Sequence, residues 1–217
     1  YEIRLSLVGS EMCIRDRNPA PKLLNNLLLT KSVNKMNSLK NHFLISLPHM
    51  KDPLFERTVI FICEHDKNGA MGLIINKEIE KNNDSFPNTE NDKELIKTLV
   101  DNKLFIGGPV LTDRVLFLHT IKKVPESISV SKEVSVSSAI NVLKLVKNIS
   151  GQKYKLFLGH SGWSEGQLER EIENGDWLLQ KSINSLIFEK NTDHIWHIAA
   201  NSLGIEINDI ANNPGKS

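Results

Sequence analysis

The sequence predicts an α+β domain built on a mixed β-sheet, and three observations predict it. Short apolar runs rich in β-branched residues recur between turn residues, as at 58–64 and 70–75, the mark of strands buried in a core. Residues 138–149 place Ala139, Val142, Leu143, Val146 and Ile149 on one helical face, with Asn141, Lys144 and Lys147 on the other. Strand pairs and helices interleave without strict alternation, which favours α+β over a doubly wound parallel sheet.

The first segment stands apart. Residues 1–17 follow neither the helical nor the strand period, and 6–17 read SLVGSEMCIRDR, like a translated sequencing-adaptor fragment. No acidic residue falls between Arg17 and Lys51, a composition also found in transit peptides. Against that reading, arginine is absent from the stretch after Arg17, and Asn25–Asn26 interrupt its leucine-rich patch. Residues 1–39 are therefore set aside as a non-domain segment with Met36 as the expected start, and one domain is expected over 40–217.

From His42 the signals sharpen. Residues 42–47 and 58–64 read as strands, and Asp66-Lys67-Asn68-Gly69 as the tight turn of a hairpin returning through 70–75. Residues 82–91 are a polar loop with a proline, and 92–102 have helical spacing. A strand then leads into Gly107-Gly108-Pro109, and another covers 115–120. Ser137 or Ser138 can cap the helix of 138–149, with Gly151 at its end. Residues 154–158 form a strand, Ser164 opens a short helix closed by Gly175, 186–188 form a last strand, and Thr192 or Asp193 caps a final helix to Leu203-Gly204.

Composition narrows the function. The 217 residues carry 27 basic and 26 acidic side chains, a formal net charge of +1, and 40% are hydrophobic. So balanced a chain, with no basic stripe or helix-turn-helix pattern, is not expected to bind nucleic acid directly. No apolar run approaches the ~20 residues of a membrane-spanning helix, so no membrane association is expected. The two cysteines, Cys13 and Cys63, lack metal-like or redox-pair spacing, which points to a reducing, cytoplasmic compartment.

Four segments together resemble the AlgH/YqgE family of uncharacterised bacterial proteins: 41–77 (NHFLISLPHMKDPLFERTVIFICEHDKNGAMGLIINK), 107–120 (GGPVLTDRVLFLHT), 158–172 (LGHSGWSEGQLEREI) and 196–205 (WHIAANSLGI). The resemblance covers essentially the whole domain in order. It implies a branched sheet containing a small barrel-like portion with helices packed around it. It also implies a cytosolic protein, sometimes linked to transcriptional regulation of exopolysaccharide synthesis. No reaction, cofactor or catalytic residue is established for the family. The chain departs from the family pattern at His160-Ser161, where tyrosine and alanine are usual, at Val115 for glycine and at Glu78 for proline, and it lacks the usual C-terminal ending.

Candidate sites follow from chemistry. In Gly159-His160-Ser161-Gly162, between a strand and a helix, Ser161 could sit on a nucleophile elbow, but Trp163 stands where that motif needs glycine. The same turn could bind an anion at a helix N-terminus, yet Ser164 and Gln167 have capping-box spacing and would occupy those donors, and no P-loop lysine is present. Cys63 beside Glu64-His65 could be a reactive thiol, with Cys63 and His65 on one strand face; a buried, inert cysteine is the simpler reading. His194 and His197 are three apart on a helix but have no third ligand nearby. Asp113-Arg114, after the Gly107-Gly108-Pro109 turn, reads either as a loop salt bridge or as a guanidinium offered to a carboxylate or phosphate. Trp163 and Trp196 read as core or rim aromatics.

The expectation is a non-enzymatic regulatory or interaction protein, with an unidentified protein or small-molecule ligand as partner and no cofactor or metal. Its binding candidates are Glu64 and His65, Gly107 and Gly108, Asp113 and Arg114, and Trp163 and Gln167. The alternative is a hydrolytic or thiol-based enzyme using Ser161 or Cys63, for which no complete set of nucleophile, base and orienting group can be assembled.

Overall fold

The computed structural model describes residues 38–80, 103–138 and 151–204. Nine strands are found among them: β1 (His42–Ser46), β2 (Val59–Asp66), β3 (Gly69–Ile74), β4 (Leu104–Ile106), β5 (Val110–His119), β6 (Ile128–Ser129), β7 (Ser135–Ser138), β8 (Tyr154–Ser164) and β9 (Trp177–Lys181). Three helices accompany them: α1 (Gln167–Glu173), α2 (Asn184–Phe188) and α3 (Thr192–Ser202). The helix expected at 92–102 lies outside the described residues, as does that at 138–149 beyond Ser138.

The sheet runs in the order β6-β7-β5-β8-β3-β2-β1-β9, with β4 attached to β8 off that path. Every pairing is antiparallel except β4 with β8. The branch has a physical origin in β8. Its first half pairs with β4 on one side and with β5 on the other; His160 still meets Val110 of β5, and from Ser161 on the strand pairs with β3. Gly159 sits at φ 65 where the partners change. The sheet also curls strongly, so that β6, at one end of the order, comes back against β2. The expected mixed, branched and partly barrel-like sheet is present, and the described helices are few and short.

Alternation along the strands builds two faces. Phe43, Ile45, Val59, Phe61 and Leu73 point to an inner cluster closed by Leu186 and Ile187 of α2 and by Ile195, Trp196, Ala199 and Ala200 of α3. Leu44, Ile60, Ile62 and Ile74 point the other way, against Leu168 and Ile172 of α1, Trp163 and Trp177. β1 and β2 are thus buried on both faces, which is why they read as continuous apolar runs rather than alternating ones. Each such side chain contributes about 1.5–3 kcal/mol by burial. Leu39, just before the expected domain boundary, is also buried in this second cluster.

Several expectations need correcting. The Gly159–Gly162 stretch is not a turn into a helix: β8 continues through it to Ser164, because Ser161–Ser164 find ladder partners in β3. The helix begins at Gln167, with Gly166 in the left-handed region as its cap and no side-chain cap bond. Half of the expected capping box survives, since the Ser164 N–H donates to Gln167 Oε1 at 3.0 Å. Residues 186–188 belong to α2, and the strand in that part of the chain is β9, which lines up along β1. The final helix is capped by Asn191, whose side chain accepts from the Asp193 N–H, rather than by Thr192 or Asp193. Ser137 is buried in β7 and shares a hydrogen bond with His119 Nε2 at 2.8 Å; the helix it is expected to cap lies outside the described residues.

Candidate functional site

The site is built where the C-terminal half of β8, α1 and the start of β9 converge. Trp163 lies on β8, Glu171 on α1 and Trp177 at the first position of β9. Both indole N–H groups donate to the same oxygen, Glu171 Oε2, Trp163 at 2.8 Å and Trp177 at 2.9 Å. Gln167, one helical turn before Glu171, donates from Nε2 to Glu171 Oε1 at 2.9 Å, the i,i+4 spacing that puts both on one helix face. The Gln167 carbonyl oxygen in turn accepts from the Ser164 N–H and hydroxyl. Glu171 is therefore held by three donors, which fix its geometry.

These groups line a cleft of about 240 Å³. Phe55, Met50 and Pro109 supply further apolar wall, and Phe55 meets Trp177 edge to face with ring centres 5.6 Å apart. Two more carboxylates, Asp52 and Asp176, open onto it. Asp52 Oδ1 accepts from the Leu54 and Phe55 N–H groups at 2.8 and 3.1 Å, which fixes the turn carrying Phe55. The Asp176 backbone N–H donates to the Glu171 carbonyl at 2.9 Å. Burial pushes the Asp176 carboxyl above the usual range, the Glu171 charge pushes it further, and His49 works against both.

Of the residues singled out from the sequence, Ser161, Trp163 and Gln167 line this cleft. Gly107 and Gly108 stand behind it as structure. A Cβ on Gly107 would lie 2.1 Å from the Gly159 carbonyl oxygen, and one on Gly108, at φ 154, would lie 2.2 Å from the His160 carbonyl carbon. Only glycine lets the two backbones pass so closely. Ser161 is buried and donates to the Gly107 carbonyl at 3.3 Å, so the hydroxyl braces this crossing.

The other candidates are placed elsewhere. Cys63 is the extra residue of a bulge, since Ile62 pairs with Gly72 and Glu64 with Met71. The bulge resets the alternation and puts Cys63 and His65 on opposite faces, contrary to the shared face expected. Cys63 is fully buried, its S–H reaches the Phe61 carbonyl at 3.4 Å, and burial pushes its thiol far above the ordinary range. His65 accepts from the Leu39 N–H at Nδ1, 3.0 Å, leaving Nε2–H to donate to Glu169 Oε1 at 2.8 Å. It ties β2 to α1. Glu64 is exposed.

Asp113 and Arg114 are both exposed, on the irregular stretch of β5 between Val110 and Val115 where the register with β8 shifts. His194 is exposed, and His197 packs its edge against Trp196. Among the described residues no group of three His, Cys, Asp or Glu side chains could hold a metal ion, and no helix is long and apolar enough to cross a membrane.

Glu171, Asp176 and Trp177 were missed from the sequence, as were Asp52 and Phe55. The one readable signal was Trp177 heading the run WLLQK (177–181), which marks a strand just after Gly175-Asp176.

Comparison with known proteins agrees with this architecture. A profile described as DUF179, AlgH-like, matches residues 43–208. A UPF0301 protein of Shewanella denitrificans is 37% identical over 183 residues, 83% of this chain and 99% of that one. One from Blochmanniella pennsylvanica is 36% identical over 190 residues, 83% of this chain and 96% of its own. The solution structure of the AlgH protein from Pseudomonas aeruginosa superposes with a TM-score of 0.62 at 29% identity, covering 83% of this chain and 96% of that one. A Corynebacterium diphtheriae crystal structure, at 22% identity and a TM-score of 0.57, shares the fold. The chain belongs to the AlgH-like family.

Proposed function

We propose that this chain is a non-enzymatic, cytosolic binding protein whose Trp163–Trp177 cleft receives a small ligand, and that it acts on other processes through a protein partner rather than by touching nucleic acid. The cleft carries this reading: an apolar hollow with one carboxylate held by three donors is a preformed recognition surface of the kind small-molecule sites use. The two candidate nucleophiles point away from chemistry. The Ser161 hydroxyl is committed to the Gly107 carbonyl, and the Cys63 thiol is sealed in the core. The exposed Arg114 offers a guanidinium to a carboxylate or phosphate on the protein partner. The regulation of exopolysaccharide synthesis implied by the family resemblance would then run through that partner.

The test is native capture. The full chain is recovered from bacterial cytosol under non-denaturing conditions, and both the proteins and the small molecules released on denaturation are identified. The reading expects a small molecule retained in near-stoichiometric amount, unchanged on prolonged incubation. A captured compound that the protein converts, or retention of nucleic acid in its place, would contradict it.

A further inference from the structure

We propose that the ligand of the Trp163–Trp177 cleft is an organic cation, an ammonium or amidinium group carried on a compact apolar body; this deepens, and rests on, the cleft reading above. Asp52, Glu171 and Asp176 open onto the cleft, and its lining contains no lysine, arginine or histidine. Carboxylates partly withdrawn from water are costly, and the cost falls when a positive ligand enters; the cations that reach them, His49 towards Asp176 and Lys77 towards Asp52, lie outside the lining. Asp176 shows the balance: burial, and then Glu171, make its carboxyl resist ionisation, with His49 opposing.

Geometry says how the cation would be shared. Glu171 cannot turn to meet a ligand, because its two oxygens are already fixed by Trp163, Trp177 and Gln167. It contributes a fixed negative potential. Asp176, for which only the backbone is engaged with Glu171, is the group left to pair directly with an ammonium. The remaining wall, from Phe55 to the two indoles, takes the apolar body. At about 240 Å³ the cleft is smaller than most drug-sized sites, which limits that body to roughly one ring or a short chain. The same three carboxylates repel anions, so phosphorylated and carboxylated metabolites are disfavoured.

Three probes of matched shape test this on the full chain, read by calorimetry and tryptophan fluorescence: phenethylammonium, the neutral 2-phenylethanol and the anionic phenylacetate. The cation is expected to bind about tenfold or more tighter than the alcohol, with no saturable binding of the anion. Asp176→Asn combined with Asp52→Asn keeps the shape and the Asp52 oxygen that caps its turn; it is expected to cut the preference for the cation several-fold, to what Glu171 alone supports, while leaving the alcohol bound. If the alcohol or phenylacetate binds the unmodified chain as tightly as the cation, the charge inference is overturned and the cleft reading stands. If none of the three binds saturably, both are overturned.

Discussion

Burial decides the behaviour of single residues here, and two of them make it measurable. Cys63 is closed off by core side chains and its thiol resists ionisation, so in a Cys13→Ser background a disulfide reagent is expected to label the native protein roughly 1,000-fold more slowly than the unfolded chain; rapid native labelling would place the thiol at the surface. Lys155 is the second. Its Nζ lies 4.4 Å from the centre of the Phe105 ring and donates to the Ile75 carbonyl. Burial, and then the neighbouring Lys103, push its ammonium down to about 8, with Glu78 opposing.

Between pH 8 and about 10.4 the unfolded chain keeps a proton on this residue that the folded chain has released, so its contribution to stability rises with pH. The penalty below pH 8 is on the order of 3 kcal/mol. Lys155→Met removes it at a pH-independent cost of one hydrogen bond, so the variant should gain on the unmodified protein at pH 7 and lose that advantage by pH 10 in urea unfolding. Parallel pH profiles would contradict this. The burial of Cys63 is legible in the apolar run around it, whereas that of Lys155 is not, because it comes from strands far apart in the chain.

At the scale of elements, β8 decides the architecture. Its sequence reads as a strand ending at Leu158, because Gly159-His160-Ser161-Gly162 has the composition of a turn. The glycines are there for another reason: Gly107, Gly108 and Gly159 let two backbones cross without side chains between them. Gly108→Ala would drive a Cβ to 2.2 Å from the His160 carbonyl carbon, and backbone atoms cannot yield, so a loss of more than ~3 kcal/mol is expected. Gly151→Ala meets nothing within 4 Å among the described residues and carries the strain of φ 83, about 1–2 kcal/mol. Comparable melting temperatures for the two variants would refute the crossing. The β2–β3 hairpin and α3 were legible because their signals are local: an Asp-Lys-Asn-Gly turn between apolar runs, and a helical period. The bulge at Cys63 and the pairing of β9 with β1 were not, since partner choice is a long-range fact that no local period encodes.

For the molecule as a whole, the curled sheet leaves a cleft where β8, α1 and β9 meet, and the claim is that this cleft binds. Half of its hydrogen-bonded centre could be picked out from the sequence, as Trp163 and Gln167. The other half, Glu171 and Trp177, gains its meaning only when the chain brings two indoles to one carboxylate. The three tryptophans supply their own control. Trp196 is buried and donates its N–H to the Ser46 carbonyl at 2.9 Å, away from the cleft lining. The most direct test is a ¹⁵N-tryptophan spectrum of the full chain, titrated with the small molecules released from the natively captured protein. The account predicts that the Trp163 and Trp177 indole signals shift together and saturate while that of Trp196 stays in place; saturable binding that leaves both cleft indoles unmoved, or moves Trp196 alone, would contradict it.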